Sequence, residues 1–82
     1  MITSQTTLKT LTPGQFFFFD DIGNQGEPHK NWFRVSWLEG DGVTQEPRFL
    51  FARKIHGSRD NFCNNHPFLL SKHGNRLVQV QQ

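Results

Sequence analysis

The chain has 82 residues, only 34% of them hydrophobic, with nine Phe, two Trp and one Cys, and a formal net charge of +2. This length allows one small domain over residues 1–82 and excludes a second, and a single cysteine excludes an internal disulfide framework. No apolar run approaches the ~20 residues that span a bilayer, and the first residues lack the features of a secretory signal. We therefore expect a cytoplasmic domain with a small aromatic core and no membrane partner.

The distribution of charge is more informative than its sum. Residues 30–59 hold six basic side chains against three acidic ones, whereas residues 1–29 hold one against three. A local basic excess favours an anionic partner, although exposed charge also serves simply to keep a small domain in solution.

The N-terminal segment is predicted to be disordered up to the first apolar residues. Residues 1–7 are polar and offer little to bury. Leu8 and Leu11 are expected to cap one end of the core, ahead of a turn at Pro13 and Gly14.

Four consecutive Phe, residues 16–19, are predicted to form the first buried strand. Two alternate rings must face the core. The other two are either covered by a neighbouring loop or by strong sheet curvature, or they lie on a binding surface.

Two aromatic segments, residues 32–38 and 47–55, are predicted to form the central strands. Both alternate with period two, so each strand can bury one face and expose the other. The side chains assigned to the inner face are Phe33, Val35, Trp37, Phe49, Phe51 and Ile55. Those assigned to the outer face include Trp32, Arg34, Arg48 and Lys54. Arg53 interrupts the inner series, so we expect a bulge or a position at the rim to turn it outward.

The C-terminal third is predicted to alternate short strands with turns. Residues 58–65 are expected to form one short helical turn or an irregular loop. Residues 68–71 are expected to form a short strand, and residues 72–75 have the chemistry of a tight hairpin turn. Residues 76–81 alternate polar and apolar side chains, which predicts a last strand with Val78 and Val80 on one face.

Five or six short strands at this spacing predict a small all-β antiparallel barrel. The segment before the four Phe resembles small SH3-like β-barrel domains, which often begin with leucines, a Pro-Gly or Gly turn and then a strand. The residues that carry the resemblance are Leu8, Leu11, Pro13, Gly14, Gln15 and Phe17. The resemblance implies a five- to six-stranded SH3-like barrel and a habit of binding, not an activity. An OB-like barrel or an open sheet with one helix stays open as an alternative, and a homodimer would help so small a core.

Basic and aromatic side chains are expected to share the outer face of the central strands. The residues assigned to this binding site are Trp32, Arg34, Arg48, Arg53, Lys54 and Arg59. Single-stranded nucleic acid needs this combination, because flat rings stack on bases and cations follow the phosphates. The alternative is an ordinary solvated face in which the 22–31 loop half covers Trp32.

Histidine and cysteine side chains are the other candidates for chemistry. Cys63 and His66 have a spacing that can chelate zinc, with His56 and His73 on either side. A lone thiol with scattered imidazoles is more typical of surface residues, so we expect no metal and no cofactor. Catalysis by Cys63 with Asp60 lacks an oxyanion site, so we expect no enzyme.

The functional expectation is therefore a non-enzymatic binding module. The first hypothesis is a small regulator or adaptor that docks on a larger protein through exposed aromatic and basic residues. Its candidate aromatic anchors are Phe19, Trp32, Trp37 and Phe62. The second hypothesis is an accessory protein that binds single-stranded RNA or DNA. The modest net charge favours the first, and small size also fits a phage or mobile-element accessory protein.

Overall fold

Six strands and one short helix make up most of the computed structural model, which describes residues 2–22, 32–40, 42–43, 46–55 and 65–82. In chain order they are β1 Thr3–Thr7, β2 Phe16–Phe19, β3 Phe33–Gly40, β4 Pro47–Lys54, β5 His66–Leu69, α1 Leu70–His73 and β6 Leu77–Gln81. A 3₁₀ turn, Leu8–Thr10, follows β1. The predicted antiparallel β architecture with up to six strands is confirmed.

The strands form a single sheet in the spatial order β1-β6-β2-β3-β4-β5. Every neighbouring pair in the sheet is antiparallel. β1 and β5 are the two edges, and within the described ranges no pairing joins them. The described strands therefore form an open sheet rather than a closed barrel. No helix in these ranges is long and apolar enough to cross a bilayer.

Residues 3–7, for which the sequence predicts disorder, form β1 instead. This strand pairs with β6 over its whole length, and the Thr3 hydroxyl donates a 3.0 Å hydrogen bond to the side-chain oxygen of Gln79. Polar side chains suit an edge strand, because one of its edges stays in water. Backbone pairing, rather than burial of large side chains, orders this segment.

The hairpin turn predicted at residues 72–75 is wrong, because β5 and β6 are not neighbours in the sheet. Instead α1 carries the chain from β5 at one edge to β6, which lies between β1 and β2. The Gly74 N–H donates to the Leu70 carbonyl at 2.8 Å, and the Gly74 carbonyl accepts from the Lys9 N–H at 3.0 Å. A Cβ on Gly74 would press into the Leu70 carbonyl, so this turn requires glycine. The helical turn predicted near residues 58–65 falls almost wholly outside the described residues.

The core lies on one face of the sheet and is built around aromatic rings. Phe17 and Phe19 of β2 point into it, and both are buried, as predicted for two of the four consecutive Phe. Their ring centroids lie 5.5 and 5.8 Å from that of Phe33, and Phe68 lies 5.4 Å from Phe19. The aliphatic members of this core are Leu8, Leu11, Leu50, Ala52, Val35, Val78 and Val80. The predicted burial of the two early leucines and the two late valines is confirmed.

A second, smaller cluster covers the opposite side of β2. The rings of Phe18 and Trp32 meet at a steep angle with centroids 4.8 Å apart. Ile55 packs with both, and Phe16 is half-buried against the same cluster. Cover by neighbouring residues, one of the two interpretations left open by the sequence, therefore accounts for the outward ring of Phe18.

His73, in the last turn of α1, is a titratable group at this end of the core. Its ring packs edge-on against Phe68 with 6.2 Å between centroids. Burial lowers the pKa of His73 below its ordinary value of 6.5, and the charges of Arg76, Lys72 and His66 lower it further. The unfolded chain therefore takes up a proton at His73 at a higher pH than the folded chain does. We expect the free energy of unfolding to be highest above pH 6.5 and to fall as the pH drops below it.

Urea unfolding at about pH 8 and about pH 5.5 measures this loss of stability. His73→Gln cannot titrate, so this variant is expected to lose less stability than the wild type across the same interval. Lys72→Gln removes one repelling charge and should give an intermediate loss. Equal losses in the wild type and in His73→Gln would show that other groups cause the pH dependence.

Candidate binding surface

A β-bulge at Ser36 decides which side chains of β3 face outward. Val35 lies opposite Ala52 of β4. Two residues further on, Trp37 lies opposite Phe51, so Ser36 has no partner in the register. The extra residue shifts the alternation of β3, with the result that Val35 is buried and Trp37 is exposed on the other face.

β4 runs in the opposite phase to the one predicted. Leu50 and Ala52 are fully buried, whereas Phe49 and Phe51 are half-buried on the other face. The prediction that Phe49, Phe51 and Trp37 face the core is therefore wrong. For the two rings of β4 the physical reason is volume: four Phe rings already fill the core, which leaves room beside β4 for a leucine and an alanine rather than for two more rings.

An apolar strip crosses the outer face of β3 and β4. We term Trp37, Phe51 and Phe49 the aromatic strip. Trp37 and Phe51 stack with ring centroids 4.4 Å apart and planes 13° from parallel, and Phe49 lies 6.2 Å from Phe51. Trp37 is 41% exposed. On β5, Pro67 lies opposite Phe51 and Leu69 lies opposite Phe49, so apolar side chains continue to the edge of the sheet. Contiguous apolar side chains on a surface are typical of an interaction site.

Three arginines border the aromatic strip. The guanidinium of Arg48 lies 5.7 Å from the centroid of the Phe49 ring. At the other end of the strip, Arg34 and Arg53 lie opposite each other on β3 and β4, and the Arg34 guanidinium lies 5.8 Å from the Phe16 ring. Such cation–π contacts hold a guanidinium over a ring and leave its N–H edge directed to an acceptor.

The six residues predicted to form the binding site do not lie together in the structure. Arg34 and Arg53 lie on the outer face, and Arg48 is exposed at a second register shift near the start of β4. Trp32 cannot be the predicted stacking platform, because it is 2% exposed and packs against Phe18. Lys54 lies opposite Phe33 and is half-buried on the core side. Arg59 lies outside the described residues.

The four aromatic anchors predicted for a protein partner also differ in exposure. Trp37 is exposed, although the alternation placed it inside. Phe19 and Trp32 are buried and cannot reach a partner. Phe62 lies outside the described residues.

Sequence reasoning missed Phe49 and Phe51 as surface residues, and charge does not mark them. Arg53 belongs to the same alternating series as these two rings, but Arg48 and Lys54 belong to the other series. Because burying an unpaired cation is costly in either series, this cost does not select the phase that the structure adopts.

The described histidines pack against an aromatic ring rather than around a metal. His66 and His73 both contact Phe68, with ring centroids 4.7 and 6.2 Å apart. Among the residues that the structure describes, no group of three or more His, Cys, Asp or Glu side chains is placed to hold a metal ion. Cys63 and His56, the other predicted candidates, lie outside those residues.

Exposed rings bordered by guanidinium groups are thus the chemistry that this surface offers to a ligand. Aromatic side chains and arginine are both enriched among the residues that anchor protein interfaces. No protein-family model, curated protein or solved structure matches this chain, so its function must be inferred from this surface.

Proposed function

We propose that this protein is a non-enzymatic binding module that docks on a larger protein through the aromatic strip. The observation that carries the proposal is the stack of Trp37 on Phe51, which stands on an exposed face of the sheet instead of in the core. Aromatic residues and arginine are the side chains most enriched at protein interfaces, where they act as anchors. Here the two kinds of anchor lie side by side.

The surface also indicates what the partner presents. Apolar side chains of the partner would cover Trp37 and Phe51 and reach Leu69 at the edge of the sheet. Its carboxylates would pair with the arginines that border the strip. Complementary charge around an apolar centre selects the partner and sets its orientation. The proposed partner therefore carries an apolar patch flanked by Asp or Glu.

Single-stranded nucleic acid is the second candidate ligand, because Arg34 and Arg53 are followed along the sheet by the exposed ring of Trp37. Three observations favour protein instead. Trp37 and Phe51 already cover one face of each other's rings, which removes two stacking faces. Trp32, the other predicted platform for a base, is buried. The net charge of +2 is also low for a nucleic-acid binder.

The proposal includes a fold type and a cellular location for the protein. We infer a half-closed barrel of the SH3-like or OB-like kind, because short antiparallel strands enclose a core on one face of the sheet. A single cysteine suits a reducing cytoplasm. A docking module of this size would fit a regulator or adaptor, including an accessory protein of a phage or mobile element.

Capture of a partner from lysate by the wild type and by Trp37→Ala tests the docking proposal. We expect Trp37→Ala to weaken binding by about 30-fold, the ~2 kcal/mol typical of an interface hot spot. Leu77→Ala is the matched control, because Leu77 is an apolar side chain of similar exposure on β6. This control should capture the partner as the wild type does.

Nuclease treatment of the same lysate separates the two candidate ligands. A protein partner is retained after nuclease, and its binding changes little with added salt. Capture that disappears with nuclease and weakens steeply with salt would assign the surface to nucleic acid. Equal capture by Trp37→Ala and the wild type would refute docking through the aromatic strip.

A further inference from the structure

A cleft of about 420 Å³ opens beside the aromatic strip, where the turn before β2 meets β3 and β4. We term it the Arg34/Arg53 cleft. Its lining residues are Pro13, Gly14, Arg34, Val35, Ser36 and Arg53. Backbone hydrogen bonds hold the turn in place: the Gly14 N–H donates to the Val35 carbonyl at 2.8 Å, and the Val35 N–H donates to the Gln15 carbonyl at 2.9 Å. Backbone hydrogen bonds to β3 therefore fix the turn that lines one side of the cleft.

Two positive charges share this cleft. Arg34 and Arg53 lie directly opposite each other in the register, where like charges destabilise a strand pair. Among the residues that the structure describes, no carboxylate oxygen lies within salt-bridge distance of either cleft arginine. Two like charges placed side by side raise the free energy of the folded chain. We expect such a pair where a bound ligand of opposite charge compensates for the repulsion.

The positions of the two guanidiniums support the same interpretation. The Nε atom of Arg53 is buried and has no hydrogen-bond acceptor among the described residues. A buried donor without a partner is destabilising, so packing within the chain alone does not favour this position of Arg53. The Arg34 guanidinium is held near the Phe16 ring. Both cations are thus positioned before a ligand arrives, which reduces the entropy that binding loses.

We propose that the Arg34/Arg53 cleft binds a phosphate monoester. Each guanidinium presents paired N–H groups that match two phosphate oxygens. A monoester carries a charge of about −1.5 to −2 at neutral pH, so it neutralises both arginines, whereas a carboxylate neutralises one. Ser36 adds no donor, because its hydroxyl donates to the Oδ1 atom of Asn65. Recognition therefore rests on the two arginines.

The neighbouring aromatic strip indicates the group that the phosphate carries. The cleft volume lies in the range of small-molecule sites and exceeds what a phosphate alone fills. On the outer face, Trp37 and Phe51 form the next cross-strand pair beyond Arg34 and Arg53. At about 3.3 Å per residue, the two steps from Arg53 to Phe51 cover roughly 7 Å. An aromatic substituent on a cleft-bound phosphate would therefore lie beside the exposed ring of Trp37.

Titration of the full chain with phenyl phosphate, inorganic phosphate and benzoate at constant ionic strength tests the proposal. Calorimetry or NMR shifts give the affinities. We expect phenyl phosphate to bind most tightly, and benzoate to bind at least about tenfold more weakly because it carries one charge. Arg34→Gln and Arg53→Gln should each weaken phenyl phosphate by at least about tenfold. Lys72→Gln is the matched control, because it removes an exposed positive charge on α1, outside both the cleft and the strip, and it should bind as the wild type does.

Further variants keep the proposal open to refutation. Should Arg53→Gln fail to fold by circular dichroism, Arg53→Lys keeps the charge but loses the paired N–H groups, and weaker binding is still expected. Trp37→Ala should weaken phenyl phosphate but leave inorganic phosphate unchanged. The comparison of phenyl phosphate with inorganic phosphate in Trp37→Ala involves no partner protein. The phosphate site and the docking proposal can therefore fail separately.

Three outcomes would overturn the phosphate site. The first is no binding of phenyl phosphate at millimolar concentration, and the second is benzoate binding as tightly as phenyl phosphate. The third uses a single-stranded oligonucleotide without terminal phosphate, whose diesters carry one charge each. If this oligonucleotide binds more tightly than phenyl phosphate and competes with it, the cleft belongs to a nucleic-acid surface instead.

Discussion

Replacing Phe17 with Ala should destabilise the protein by about 3–5 kcal/mol, the range measured for truncation of a buried Phe. Phe17 is fully buried at the centre of the sheet. Its ring stacks on Phe33 with planes 19° apart and meets Phe19 edge-on at 5.6 Å. These neighbours are fixed on two strands, so they cannot collapse into the cavity that the substitution leaves. At ~0.05–0.15 kcal/mol per residue a domain of this size has roughly 4–12 kcal/mol of stability in total, so the variant loses much of it.

Urea unfolding followed by tryptophan fluorescence measures this loss, because Trp32 is buried beside Phe18 and reports on the fold. Phe17→Leu keeps most of the volume and should lose less than about 1.5 kcal/mol. Arg48→Ala changes an exposed side chain and should stay within about 0.5 kcal/mol of the wild type. If Phe17→Ala lost less than about 1 kcal/mol, which is ordinary for any substitution, β2 would not lie at the centre of the core.

The strands with long aromatic or alternating patterns could be predicted from the sequence. β3, β4 and β6 occupy nearly the predicted residues, and Val78 and Val80 share the buried face. β2 also appears where four Phe stand together, because only a strand covered on both sides can hold such a run. In these segments local propensity and burial favour the same structure, which is why the pattern is informative.

The face on which Trp37 lies could not be predicted with the same success, because it depends on one unpaired residue. Ser36 is an ordinary residue in the middle of a strand pattern, and nothing in its chemistry marks it as a bulge. A shift of one residue turns every later side chain to the opposite face. The ring of Trp37 moved from the predicted core to the surface for this reason alone.

β1 and α1 depend on contacts between the two ends of the chain. β1 consists of Thr, Ser and Gln, which have no strong pattern, and it is ordered by pairing with β6 more than sixty residues away. α1 replaces a hairpin because β6 pairs with β1 and β2 instead of β5. Neither pairing leaves a local signal, since both are decided by which strands share the core.

The arginines of the candidate site were predictable, whereas the positions of Lys54 and the two tryptophans were not. Arginine side chains are kept at the surface by the cost of burying a charge, so Arg34, Arg48 and Arg53 are all placed on the accessible side of the sheet. Trp32, predicted to be exposed, is buried, and Trp37, predicted to be buried, is exposed. A tryptophan is found both in protein cores and at surfaces, so its identity does not decide between the two. Which of the two is buried depends on the bulge and on Phe18, not on the residue itself.

Leu50→Ala should destabilise the protein more than Phe51→Ala, although phenylalanine is the larger residue. Leu50 is fully buried in the core opposite Phe68, so its truncation should lose about 2–5 kcal/mol. Phe51 is half-buried on the outer face, and its truncation should lose about 1 kcal/mol, mainly the stacked pair with Trp37. The alternation read from the sequence alone implies the reverse order.

Urea unfolding of the two single variants decides between the two phases of β4, because each phase puts a different residue in the core. Leu50→Met conserves volume and should lose less than about 1.5 kcal/mol, which separates the cavity from the loss of leucine itself. A double-mutant cycle of Phe51→Ala with Trp37→Ala should give a coupling of about 0.5–1.5 kcal/mol if the two rings stack in solution. A larger loss for Phe51→Ala than for Leu50→Ala would place the rings of β4 inside and remove the aromatic strip from the surface. With the expected order, Phe51→Ala remains folded, so any loss of partner capture in this variant reports on docking rather than on stability.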